Sequence, residues 1–236
     1  MAFVQKRPRR CAGDVHFVVE THRGPMGHCG RPQFLKMIMV LLLVVATGLV
    51  SWQCMESANK AKWMLVPYDV VHKGEWWRVV THGFVHADTM HLMFNMFVLY
   101  EFGQTVAADL SFLGWLGFPA LYFLGLIGGA IPALHKYRDH RGYRSLGASG
   151  AVSAVLIAFI AMHPTRTLLL FFIVPIPAAL AGILFFWYES RMNRKGGTRV
   201  AHDAHLGGAI AGLAWVLWWK PSVVLDFFAA LQDLLA

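Results

Sequence analysis

Six apolar runs, at 34–52, 90–108, 112–134, 147–162, 168–188 and 204–219, limit what this chain can fold into. Loops that hold most of the charge separate them. The first run has the length needed to cross a hydrocarbon core of roughly 30 Å at about 1.5 Å per residue. A chain that is 57% hydrophobic and 14% charged is not composed like a soluble domain. The pattern predicts an all-α polytopic membrane protein with six transmembrane helices. Residues 1–33 are basic and rich in glycine and proline, and are predicted to be a flexible tail. Residues 34–220 form the six-helix core. In 221–236, Val224, Phe227, Phe228, Leu231, Leu234 and Leu235 recur at helical spacing after Pro221. That piece is about 24 Å long, too short for a span, so a short amphipathic surface helix is expected.

The net charge of +8 lies largely in the tail and the loops, where it suits lipid headgroups. No nucleic-acid motif accompanies it. The three cysteines are scattered and support no disulfide framework. Cys11, His16, His22, His28 and Cys29 match no zinc spacing, so no metal and no cofactor is predicted. Residues 53–89 form a loop whose tryptophans suit the membrane interface. Residues 189–202 read as a mobile polar cap, and Pro175 and Pro177 as a kink in the fifth run.

Polar residues recur at one depth of this apolar framework. Ser149 lies in Ser145-Leu146-Gly147-Ala148-Ser149-Gly150-Ala151-Val152-Ser153, at the mouth of the fourth run. Small neighbours allow a close backbone approach, and a first helical turn offers unpaired N–H groups to an oxyanion. Packing alone also favours such small residues. In the sixth run His205 shares a face with Gly208 and Gly212, a spacing that allows close helix contact. In the second run His91 and Asn95 are four residues apart and share a face. With six spans, runs two, four and six enter from the same side. Ser149 and His205 can then meet as nucleophile and base, with His91 and Asn95 as hydrogen-bond donors. His82 and His86 are expected to tie the preceding loop in place. Asp203 is two residues from His205, about 200° around the helix, and is rejected as its orienting group.

These residues resemble the rhomboid intramembrane serine proteases. The resemblance rests on Trp77-Arg78, His91-x-x-x-Asn95, Gly147-x-Ser149-Gly150 and Ala204-His205-x-x-Gly208-x-x-x-Gly212, and covers about residues 34–220. It implies a six-helix rhomboid-like bundle with its N-terminus inside. Ser149 and His205 would be a catalytic dyad without an aspartate. His91, Asn95 and the Ser149 N–H would line the oxyanion hole, which Gly147 helps to shape. The substrate would be a transmembrane or juxtamembrane segment of another membrane protein, cut through an acyl-enzyme. The lipid bilayer is the other implied partner; the oligomeric state is left open. The expected location is the plasma (inner) membrane of a bacterium. The chain departs from the family at Ser153, where an aromatic residue often follows the serine by one turn, and at Gln104, where a glutamate often follows Phe-Gly.

Two other functions compete. A rhomboid-like protein that binds membrane clients without cutting them would not need the intact Ser149 and His205. A metal transporter could use His82, His86, His91, His202 and His205. Against transport, the runs offer no carboxylate set, Glu101 being the lone carboxylate that reads as buried.

Overall fold

The helix Ser149–Met162 is apolar all round, and every residue in it except Ser149 and Leu156 is buried. A helix without a polar stripe belongs in an interior, and here other helices enclose it. The computed structural model describes residues 31–57, 59–170, 173–196 and 200–235. In chain order its elements are α1 (Arg31–Cys54), α2 (Lys60–Trp63), α3 (Pro67–Lys73), α4 (Arg78–Thr81), α5 (Thr89–Asp109), α6 (Gly117–Lys136) and α7 (Ser149–Met162). There follow β1 (Thr167–Leu170), β2 (Val174–Pro177), α8 (Ala178–Lys195), α9 (His202–Trp219) and α10 (Val223–Leu235). The expected tail at 1–30, with Cys11 and Cys29, lies outside the described residues.

Glycine sets the spacing at the centre. A Cβ at Gly208 would run into the backbone of Gly150, and one at Gly212 into the backbone of Ala154. The α9 glycine stripe therefore lies directly on α7. On α6, a Cβ at Gly129 would come 3.0 Å from Gly150 Cα and 2.9 Å from the Ala204 carbonyl. Helices α6, α7 and α9 thus meet backbone to backbone. Close approach of this kind yields dispersion contacts that larger residues would forbid.

The segment 60–86 is built around Arg78. Its guanidinium Nη1 donates to the carbonyls of Ala61, Lys62 and Met64 at 2.9–3.0 Å, the carbonyls that short α2 leaves unpaired. Thr81 Oγ1 adds a bond to the Trp63 carbonyl at 3.0 Å. These contacts fix the 3₁₀ turn His82–Phe84, which leads to the start of α5.

The structure corrects three expectations. The chain is mostly helical rather than all-α: β1 and β2 form an antiparallel hairpin with Thr167 opposite Pro177. Pro175 and Pro177 do not kink a helix; they lie in β2, and α8 begins only after them, because proline has no N–H for a helical ladder. The polar stretch after 188 is not a cap loop. α8 continues through it to Lys195 and stops at Gly196, whose φ is 61°. Helix α6 carries Pro132 in its interior and runs on to Lys136. Helix α9 packs against it there at Gly207, where a Cβ would come 3.2 Å from the proline ring, and so supports the helix.

By length and composition, one stretch among the described residues, Thr89–Lys136, is apolar and long enough to cross a membrane, or two if the pair α9 and α10, bent by 109°, counts as one. The apolar helices Ile38–Cys54 and Ser149–Met162 are shorter. Helix length therefore does not establish the expected six spans. Large apolar side chains cover the outside, among them Leu42, Leu49, Trp52, Ile131, Trp187 and Trp218.

Candidate active site

The residues before Ser149 are held by three separate parts of the chain. Ser145 exchanges backbone bonds with Leu65 at 2.9 and 3.0 Å. The Gly147 N–H donates to the His82 carbonyl at 2.9 Å, and the Ala148 N–H to His86 Nε2 at 3.2 Å. Ser51 Oγ donates to the Phe84 carbonyl at 2.9 Å and lies 2.7 Å from His86 Nδ1. The Ser51 proton is committed to Phe84, so His86 must donate from Nδ1 and accept at Nε2. That tautomer fits the bond from Ala148. His82 Nδ1 is 3.0 Å from the Arg78 carbonyl. Both histidines tie the loop down, as expected from the sequence.

Gly147 has a φ of 116°, which only glycine adopts readily. A Cβ there would also lie 2.7 Å from His91 Cε1. The position needs glycine for conformation and for space, and the result is a turn that drops Ser149 into the first position of α7. The first-turn N–H groups of α7 have no acceptors within the helix.

Ser149, His205, His91 and Asn95 line one pocket of about 1090 Å³, with Ser153 and Glu189. Gly147 lies just behind the wall, against the His91 ring. Asp88 caps α5, its Oδ1 accepting the His91 N–H at 2.8 Å, which places His91 in the first turn. The His91 and His86 rings meet edge to face at 4.9 Å. Asn95 is buried, and its Nδ2 donates to the His91 carbonyl at 2.9 Å. Its amide is thus engaged with its own helix. Among the described residues no hydrogen bond joins Ser149 Oγ to His205; the two side chains share the pocket without a direct bond.

His205 instead pairs with a residue that the sequence reading overlooked. Glu189 of α8 is 6% exposed. Its Oε1 is 3.0 Å from His205 Nδ1 and its Oε2 is 2.6 Å from His202 Nδ1. Glu101, the carboxylate expected to be buried, is exposed. The available signal was a lone carboxylate following the apolar run 178–188, since ionisable groups in such helices are rare and tend to be functional. Reading 189–202 as a loop hid it. Asp203 does turn elsewhere: its Oδ1 accepts the Ala204 N–H at 2.9 Å.

Burial pushes the His82 imidazole down to about 4 and that of His86 to about 3, so both are neutral in the folded protein. The unfolded chain takes up these protons near pH 6.5. Between the folded and unfolded values the unfolded state binds more protons. Stability from these groups is therefore complete above pH 6.5 and falls as the pH drops toward 4, by about 1.4 kcal/mol per histidine per pH unit. The midpoint of thermal unfolding in detergent is expected to fall between pH 7.5 and pH 5, and less steeply in a His82→Gln variant that still folds. An unchanged midpoint in the wild type would contradict the assignment.

Helices packed through glycine thus bring a serine of α7 to one pocket with three histidines, His91, His202 and His205. Residues 73–221 match the Rhomboid domain family, and the chain belongs to the rhomboid family. It is 32% identical over 195 residues to RHOMBOID-like protein 12, mitochondrial, of Arabidopsis thaliana, covering 75% of this chain and 57% of that one. It is 32% identical over 162 residues to Rhomboid protein 1, mitochondrial, of Saccharomyces cerevisiae, covering 65% and 44%. Rhomboid protease GlpG of Photorhabdus laumondii is 26% identical over 212 residues, covering 88% and 70%. The chain spans about half the length of the mitochondrial relatives. The mitochondrial names of the plant, yeast and vertebrate relatives overturn the expectation of a bacterial plasma membrane.

Proposed function

We propose that this chain is an intramembrane serine endopeptidase that cuts transmembrane or juxtamembrane segments of other membrane proteins. One observation carries the reading: Ser149 begins a short interior helix and faces the same pocket as His205, His91 and Asn95. In this reading Ser149 Oγ attacks the scissile carbonyl and His205 Nε2 takes its proton. The Ser149 N–H, His91 and Asn95 stabilise the oxyanion, and Gly147 gives the loop its shape. His205 then returns the proton to the leaving amine, and water resolves the acyl-enzyme. The separation of serine and histidine is compatible with this, since such pairs often tighten only around substrate.

The proposed core, residues 34–220, crosses the bilayer six times with its N-terminus inside, and 221–236 lies along the surface. At 14 residues α7 is about 21 Å long. A helix of that length starts below the membrane surface, which would put Ser149 in a water-filled recess inside the bundle. The mitochondrial names of the relatives support a mitochondrial membrane as its location.

The test is cleavage of a model transmembrane substrate in proteoliposomes. Wild type is expected to cut it. Ser149→Ala is expected to lose cleavage, by about 10⁴-fold or more, while keeping its thermal midpoint. Equal cleavage by both would sink the proposal. A folded wild type that binds substrate and never cuts it would favour the client-binding alternative.

A further inference from the structure

Glu189 lies 13 and 16 residues from the two histidines it touches, on a different helix. It is the group through which α8 reaches the base. An ionised carboxylate only accepts hydrogen bonds, so both imidazoles must present Nδ1–H to it. That settles the tautomer of His205: the proton sits on Nδ1 and the lone pair on Nε2. Neither neighbouring residue does this work. Asp203 is turned to the backbone of its own helix, and Ser153 has no ring to stack on the imidazole.

We propose that Glu189 is the positioning residue for His205: its carboxylate bridges Nδ1–H of His205 and of His202, and so keeps Nε2 of His205 free as the base. This role rests on the protease reading. When Ser149 Oγ gives its proton to Nε2, His205 becomes an imidazolium and Glu189 stays ionised, stabilising that charge at 3.0 Å. No proton passes to the carboxylate. His202 holds the second carboxylate oxygen at 2.6 Å, which fixes the rotation of the Glu189 side chain. Tyr188 packs edge-on against His202 at 6.0 Å between ring centres. The arrangement also makes a demand on α8: its outward displacement would separate Glu189 from His205 and leave the base without a fixed tautomer.

The experiment compares wild type with Glu189→Gln in detergent. A glutamine of the same shape can donate to Nδ1, which favours the tautomer with its proton on Nε2. The expected result is a 10²–10⁴-fold fall in kcat and in the rate of fluorophosphonate labelling of Ser149, with KM within about threefold and an unchanged thermal midpoint. A purely structural role would lower the midpoint and leave the kcat of the remaining folded protein near wild type. Labelling and kcat of Glu189→Gln at the wild-type level would overturn the proposal while leaving the Ser149 reading intact. Loss of activity in the wild type itself, matching Ser149→Ala, would instead remove the reading on which it rests.

A measurement on the wild type keeps the idea exposed even if the variant does not fold. In ¹⁵N-histidine-labelled protein at pH 7.5, the His205 resonances, identified by their absence in His205→Ala, should report a proton on Nδ1. Protonation at Nε2 alone would overturn the proposal. So would stoichiometric zinc in the purified protein that is lost in Glu189→Gln, because a metal would replace the two protons that the carboxylate accepts.

Discussion

Gly208→Val is expected to prevent assembly of the helical core. The added Cβ would run into the Gly150 carbonyl and Cα, with backbone on both sides of the contact. No rotamer relieves that collision. Helices α7 and α9 must separate, and the contacts of Gly212 with Ala154 and of Gly128 with Gly207 would open together. Overpacking typically costs about 1–3 kcal/mol where side chains can adjust. Here they cannot, so the cost is expected at or above about 3 kcal/mol, a large part of the stability of an ordinary domain. Gly48→Val is the control. Gly48 lies on α1, and a Cβ there would meet nothing within 4 Å, so its change is expected to be near neutral. Thermal unfolding and size-exclusion profiles in detergent check both. Equal midpoints for the two variants would mean that the α7–α9 contact is not as tight as described.

His205→Ala is expected to abolish catalysis while leaving the fold intact. Its ring is partly exposed to the pocket, and its hydrogen-bond partner, Glu189, keeps His202. The hydroxyl of Ser149 would then lack a base, and kcat is expected to fall on the order of 10⁴–10⁶-fold. Substrate affinity, measured by competition, should change little, since the substrate contacts of the pocket walls remain. His82→Gln behaves differently: it disturbs the loop under Gly147 through stability, and the protein that remains folded keeps most of its activity. A His205→Ala variant with wild-type turnover would mean that another group accepts the Ser149 proton.

Much of the site is legible in the sequence because glycine marks where helices touch. The Gly208/Gly212 stripe and Gly150 announce the α7–α9 contact, and the i, i+4 pair His91 and Asn95 announces the polar face of α5. Those signals are local and periodic, so they survive without tertiary knowledge. Glu189 is not legible for the opposite reason. Its neighbours Ser190, Arg191, Asn193, Arg194 and Lys195 are polar, and a polar stretch after an apolar run looks like a loop. Yet arginine, lysine, glutamate and methionine favour helix, and Gly196 supplies the stop only after Lys195. The helix therefore continues past the apolar run, and its inner face carries Glu189 to His205. The hairpin at 167–177 is hidden similarly. Pro175 and Pro177 look like interruptions of a helix, although alongside β-branched Ile173, Val174 and Ile176 they suit an edge strand.

The most direct measurement is to treat the wild-type protein in detergent with a fluorophosphonate and locate the adduct by mass spectrometry. The account predicts one covalent adduct on Ser149, lost in His205→Ala and strongly slowed in Glu189→Gln. A folded protein that stays unmodified at Ser149, or that is modified equally well without His205, would contradict the claim that these residues form an activated serine.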